Sequence, residues 1–306
     1  MNTRIVFMGS PEFALPTLRA LAENFSVVGV VTQPDRPAGR GRKLAPPPVK
    51  ILAQELGLPL IQPRRLKEPE AMQQLTAWQP DLIVVAAFGQ ILRRNVLELP
   101  PHGCLNVHAS LLPRWRGAAP IHAAILHGDT QTGVTIMQMD PGLDTGPILT
   151  QRATPITPQD TAGSLSERLA QMGAELLLET IPGYLSGAIQ PQAQDDSLAT
   201  HAPRLKKTAG ELDFTRPADY LERQVRAMHP WPGAYLLWEG NRLRVHRATP
   251  KGVPHPPPAG TRLIHNGLPA VAAADGILLL EEVQPAGKRP MRGRDFLNGA
   301  RNWVSS

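Results

Sequence analysis

Cys104, Leu105, Asn106, Val107, His108, Ala109, Ser110, Leu111, Leu112, Pro113, Arg114, Trp115, Arg116 and Gly117 form one stretch with two halves. The first five residues read as a short apolar strand. The rest is a polar loop punctuated by proline and glycine. Asn106 and His108 are two apart, so an extended backbone turns both to one side of a sheet. An amide donor and an imidazole therefore leave the end of one strand together, where open α/β sheets take their ligands. Cys104 shares their parity. It lies deeper in the strand and reads as a small core residue, with a thiol nucleophile as the alternative.

Upstream of this strand, short apolar runs alternate with helical ones. Ile5–Met8, Val27–Thr32, Leu60–Ile61 and Asp81–Ala86 read as strands. Glu12–Glu23, Val49–Leu56, Pro69–Trp78 and Ile91–Leu97 read as helices. Downstream come a helix over Ala118–Leu126, strands over Val134–Met139 and Ile148–Arg152, and a long helix over Thr161–Tyr184. This alternation predicts a doubly wound, mainly parallel α/β sheet. Ser10 is placed to cap the first helix, with Pro11 at its first position. The turn after the first strand lacks the second and third glycines of a dinucleotide fingerprint, which argues against a nicotinamide cofactor. The connection over residues 33–48 is too long and too rich in Pro and Gly for an ordinary strand-to-helix turn. It carries Arg36, Arg40, Arg42 and Lys43, followed by Lys50, against Asp35 alone. A long basic loop of this kind is a candidate for function.

From Ser186 to Lys207 the pattern dissolves into Gly, Pro, Gln and Asp and reads as a linker. One helix over Ala218–Met228 follows. Short strands come next, over Ala234–Trp238, Leu243–Arg247, Thr261–Ile264, Ala270–Ala274 and Ile277–Leu280. Five such strands after one helix suggest a small β-barrel, with Pro254–Pro258 a stiff exposed loop in it. The expected division is a catalytic domain over 1–188, a linker over 189–207 and a barrel domain over 208–306.

The net charge of +6 is unevenly spread. Residues 201–306 hold 16 Lys and Arg against 9 Asp and Glu, whereas residues 1–200 hold 16 against 17. A basic second domain points to a polyanionic partner, nucleic acid first. No apolar run approaches the roughly 20 residues that span a bilayer. The single cysteine excludes an internal disulfide framework and suits a reducing compartment. The expectation is a cytoplasmic protein that makes no use of a membrane.

Asp144 stands in a Gly-rich loop, Asp140–Pro147, that follows a later strand. Loops after neighbouring parallel strands share one sheet edge, so Asp144 can meet Asn106 and His108. Two donors aimed at one spot, with a carboxylate beside the imidazole, are what a developing oxyanion needs. No Ser or Cys is obviously activated. Direct acyl transfer between two nitrogens is therefore more natural than a covalent enzyme intermediate. A metal at His108 and Asp144 lacks a third ligand at zinc spacing, so none is expected.

Asn106, His108, the run Ser110–Gly117 and the downstream Asp144 resemble the signature of the formyltransferases that use 10-formyltetrahydrofolate: Asn-x-His, then Ser-Leu-Leu-Pro, then Asp. The resemblance extends over nearly the whole chain. It is greatest to the branch whose acceptor is the methionine on initiator tRNA, through Thr32–Lys43, Gly133–Gly146, Pro230–Pro232 and Gln284–Gly287. Amino-sugar nucleotide formyltransferases share the two-domain plan and are the alternative. The resemblance implies the formyltransferase fold followed by an OB-like β-barrel, and formyl transfer to methionyl initiator tRNA without a metal. It implies Asn106, His108 and Asp144 as catalytic residues. Folate would lie along Phe88, Gly89, Gln90, Ile91 and Leu92, then Ser110, Leu111, Leu112 and Pro113, then Met139, Asp140 and Gly142. Arg36, Arg40, Arg42 and Lys43, with Lys206 and Lys207, would hold the tRNA. Phe88 stands where many relatives carry Tyr. A monomer is expected.

Overall fold

Mostly apolar runs of two to eight residues build the central sheet of the protein, seen in a computed structural model that describes residues 3–38 and 43–304. In chain order the first elements are β1 (Arg4–Gly9), α1 (Leu15–Asn24), β2 (Ser26–Val31), β3 (Arg36–Ala38), β4 (Lys43–Ala45), α2 (Pro48–Glu55) and β5 (Leu60–Ile61). Then come α3 (Pro69–Ala77), β6 (Leu82–Ala86), α4 (Arg94–Leu97), β7 (Cys104–His108), β8 (Arg116–Gly117), α5 (Pro120–Leu126), β9 (Gln131–Gln138), β10 (Ile148–Pro155) and α6 (Ala162–Leu185). Seven strands form one sheet in the order β10-β9-β7-β6-β1-β2-β5. Pairings β1–β2, β1–β6, β2–β5 and β6–β7 are parallel. The chain winds outward from β1 in one direction and then, from β6, in the other. The crevice of such a doubly wound sheet opens at the carboxyl ends of β1 and β6.

Burial follows the apolar pattern. Every residue of β6 and β7 is buried. Val6, Met8, Val31, Leu75, Trp78, Ile83, Val85, Leu92 and Cys104 pack into one core cluster. Gly29 inside β2 is explained by Trp78, because a Cβ there would stand 2.3 Å from the indole ring.

Four expectations need correction. Ser10 caps no helix; its hydroxyl donates to the Phe88 carbonyl (3.5 Å) and accepts from Thr32 Oγ1 (3.2 Å) and the Gln33 amide (3.1 Å). It ties the ends of β1, β2 and β6 together where their backbone ladders stop. Residues 33–48 are not a plain loop, since β3 and β4 pair as an antiparallel ribbon. The helix expected over Ile91–Leu97 forms only as α4, the last four of those residues. The stretch read as a linker is partly folded: Gln192 exchanges both backbone hydrogen bonds with Ile148, at 2.7 and 2.8 Å.

Two compact units divide the chain. One comprises Met1–Gly117, Thr132–Thr154 and Ser166–His201, and the other Ala118–Gln131, Pro155–Leu165 and Ala202–Ser306. β11 (His201–Ala202) lies at the boundary, and the second unit holds α7 (Ala218–Ala227), β12 (Ala234–Trp238), β13 (Asn241–Lys251), β14 (Arg262–His265), β15 (Leu268–Ala272), β16 (Ile277–Gln284), β17 (Met291–Arg292) and α8 (Gly293–Gly299). Its sheet runs β12-β13-β16-β15-β14, with β17 beside β16, and its pairings are antiparallel. β13 is longer than expected and passes through register shifts around Arg247. Such bulges bend a strand and raise its twist, which curls this sheet into half a barrel.

Candidate active site

Strand parity brings Asn106 and His108 to one face of β7, both nearly buried at 9% and 5% exposure. The imidazole is held from behind. His108 Nε2 lies 3.0 Å from the carbonyl oxygen of Trp115. A carbonyl only accepts, so Nε2 carries a proton and Nδ1 is the nitrogen left toward the cleft. Trp115 reaches this position with a left-handed backbone, φ 65°. Its neighbour Ser110 donates to the Arg114 carbonyl at 2.7 Å, which closes the loop.

Asp144 completes the group. Its Oδ1 lies 3.7 Å from His108 Nδ1 and 3.4 Å from Asn106 Nδ2, which donates to it. Its Oδ2 accepts from the Gly117 amide at 2.8 Å. The route by which it arrives corrects the expectation. β9 pairs with β7 antiparallel, Leu105 opposite Gln138 and His108 opposite Thr135. The loop after β9 therefore starts at the amino end of β7, and Asp144 reaches His108 only because the loop doubles back along that strand. Asp140 shapes the fold-back, accepting from the Gly142 amide (3.0 Å) and from Thr145 Oγ1 (2.8 Å). Gly142 admits no side chain, since its Cβ would stand 1.8 Å from Thr145 Oγ1.

The loop Ser110–Pro113 is fixed by residues the sequence did not single out. Thr135 Oγ1 donates to the Ser110 carbonyl (2.6 Å) and accepts from the Leu112 amide (3.1 Å). Gln151 Nε2 donates to the Leu112 carbonyl (2.9 Å) and to Thr135 Oγ1 (2.8 Å). The available signal was Thr135, the one hydroxyl within the buried stretch 133–137 of β9. Gln194 is a second unnoticed residue; its amide donates to the carbonyls of Asp144 (2.9 Å) and Gly146 (2.7 Å). It was hidden in the stretch read as a linker.

The turn after β6 differs from a simple wall. Phe88 and Leu92 are core residues, 2% and 4% exposed, and Gln90 is held by the Leu66 amide and the Pro63 carbonyl. Ile91 is 85% exposed. Beside Gly89, Gln90 and Ile91 lies a cavity of about 400 Å³, which Arg65, Lys67 and Arg93 also line. Met139 packs partly buried against the same core as Phe88. Cys104 points into that core, and burial pushes its thiol up to about 12, which removes it as a nucleophile near neutral pH.

The basic residues are placed separately. Arg36 is exposed on β3 and donates to Gln33 Oε1 at 2.8 Å. Lys43 begins β4, while Arg40 and Arg42 lie outside the described residues. Lys50 pairs with Asp35 at 2.7 Å, so its charge is met within the protein. Hydrogen bonds from Gln62 and Lys50 hold the Asp35 carboxyl below its ordinary range. Lys206 and Lys207 are exposed in the second unit. Among the described residues, no group of three or more His, Cys, Asp or Glu could hold a metal, and no helix is long and apolar enough to cross a membrane.

Two family models match the chain. The profile described as formyl transferase matches residues 3–181, and that of the formyl transferase C-terminal domain matches 204–301. A methionyl-tRNA formyltransferase of Halorhodospira halophila is 53% identical over 303 residues, covering 98% of this chain and 97% of its own. That of Myxococcus xanthus is 51% identical over 298 residues, covering 97% and 95%. Among solved structures, the N-formyltransferase of Helicobacter canadensis, in complex with folinic acid and dTDP-3-aminofucose, has a TM-score of 0.66 at 17% identity. It matches 92% of this chain and 99% of its own, and the likeness is one of fold.

Proposed function

The chain belongs to the formyl transferase family, and on that premise we propose that Asn106, His108 and Asp144 carry a formyl group from 10-formyltetrahydrofolate to the amino group of methionyl initiator tRNA. The observation that carries the reading is the meeting of an amide, an imidazole and a carboxylate, within 3.4 and 3.7 Å, on one nearly buried strand face. Bound folate supplies an activated formyl carbon on nitrogen. With Nε2–H engaged by Trp115, a second proton at Nδ1 makes His108 a cation facing Asp144. That N–H and the Asn106 amide are then the two donors for the charge that develops on the formyl oxygen. Asp144 lies beside both and relays the proton lost by the attacking amine, through water, toward the leaving nitrogen.

The cavity beside residues 89–91 fits a folate. Its backbone turn offers polar groups, and Arg65, Lys67 and Arg93 offer cations for carboxylates. Leu111, Leu112 and Pro113, with Met139, Asp140 and Gly142, supply the remaining wall. Arg36 and Lys43, which stand on the ribbon, together with Arg40, Arg42 and the exposed Lys206 and Lys207, hold phosphates of the tRNA. This reading divides the chain into a catalytic domain over 1–188, a connecting segment over 189–207 that is itself hydrogen-bonded through Gln192, and a tRNA-binding domain over 208–306, acting as a monomer in the cytoplasm. The amino-sugar alternative is supported only by distant structures, whereas relatives matched over nearly their full length support the tRNA acceptor. Asn106→Ala and His108→Ala should each lower kcat about 10²-fold or more while folate affinity stays within a few fold. Turnover close to that of the unaltered chain would remove them from the mechanism.

A further inference from the structure

We propose that Gln194 is a positioning residue for Asp144, acting through the loop backbone and touching no reactant; the proposal rests on the role given to Asp144 above. One side-chain amide is fully engaged. Its Nε2 donates to the carbonyls of Asp144 (2.9 Å) and Gly146 (2.7 Å), which brackets Thr145 from both sides. Its Oε1 accepts from Arg116 Nε (3.1 Å) and the Arg116 terminal nitrogen (2.9 Å). The amide can sit only one way round, because exchanging oxygen and nitrogen would set oxygen against two carbonyls and donor against a guanidinium.

Arg116 gives this bridge a fixed base. It is 4% exposed and also donates to Asp196 Oδ1 at 2.7 Å. The next residue, Gly117, donates its amide to Asp144 Oδ2. Consecutive residues of β8 thus hold Asp144 at both ends: the carboxylate directly through Gly117, the carbonyl through Arg116 and Gln194. Asp144 sits at φ 53°, a left-handed conformation that aspartate adopts more readily than most residues with a Cβ, and the hold keeps the loop in that one conformation. Its contacts to Asn106 and His108, at 3.4 and 3.7 Å, are long enough that a small tilt of the loop would lose them.

In the full chain, Gln194→Ala should lower kcat about 10–100-fold and leave KM for folate and for tRNA within about twofold, the pattern of a misplaced rather than an absent binding group. Gln194→Glu keeps an acceptor for Arg116 but turns the donor into a charged oxygen set against the two carbonyls, and should lose kcat to at least the same degree. In an Asp144→Asn background, adding Gln194→Ala should change kcat by less than about twofold. The Gly117 amide resonance, which reports the bond to Asp144, should move in Gln194→Ala; this readout stands whether or not the formyl-transfer reading holds. An unmoved resonance, a kcat within twofold of the unaltered chain, a loss confined to KM, or an equal fold-loss in both backgrounds would each overturn the proposal.

Discussion

Nε2 of His108 is engaged by a backbone carbonyl and Nδ1 faces a carboxylate, so the two ring nitrogens have separate tasks set by their neighbours. The shared side of Asn106 and His108 was legible from spacing alone, because alternation in a strand is a local rule. The partner of Nε2 was not legible. It depends on a left-handed turn at Trp115, a conformation that a bulky aromatic does not announce. Cys104 shows the opposite case: parity left it open as a nucleophile, and its burial closes that reading. The folded chain keeps the Cys104 proton up to about pH 12, whereas the unfolded chain loses it in the ordinary thiol range. Between those limits the unfolded state binds fewer protons, so stability falls as pH rises, by up to about 1.4 kcal/mol per unit. Urea midpoints at pH 7 and pH 10 should drop further for the unaltered chain than for Cys104→Ala. Equal drops would contradict this account of the thiol.

Elements were read with uneven success, and the pattern of misses is physical. β7 and β6 lie where apolar runs placed them, since buried strands leave a continuous hydrophobic signal. The direction of β9 leaves no such signal, and with it went the true path of the Asp144 loop. The segment after Leu185 looked like a linker by composition, yet Gln192 and Gln194 are held by hydrogen bonds that composition does not record. α6 shows how closely a helix supports the site strand. Gly173 would place a Cβ 2.6 Å from Val107 Cγ1, between Asn106 and His108 in sequence. Alanine is intrinsically better in a helix by about 1 kcal/mol. Gly173→Ala should nevertheless lose about 1–3 kcal/mol, because the helix must lift from β7. Denaturant unfolding checks this, and a gain in stability would show that the strand yields without cost.

The whole molecule carries its positive charge unevenly, in the last third and in the ribbon region, while residues 1–200 are close to neutral. That distribution was readable at once from the sequence; which nucleic acid it serves was not, because phosphate contacts carry no sequence information. Arg42→Ala should raise KM for tRNA and flatten its dependence on salt by a slope of about 1, with folate KM unchanged. Equal changes in both KM values would assign Arg42 another task. The most direct test of the central claim is a competition of acceptors. The purified chain is given 10-formyltetrahydrofolate with methionyl initiator tRNA, methionyl elongator tRNA or an amino-sugar nucleotide, and formylated amine is measured. The account predicts rapid formylation of the initiator species, with the other two far behind. Formylation of the sugar nucleotide at a comparable or greater rate, or of no acceptor, would contradict it.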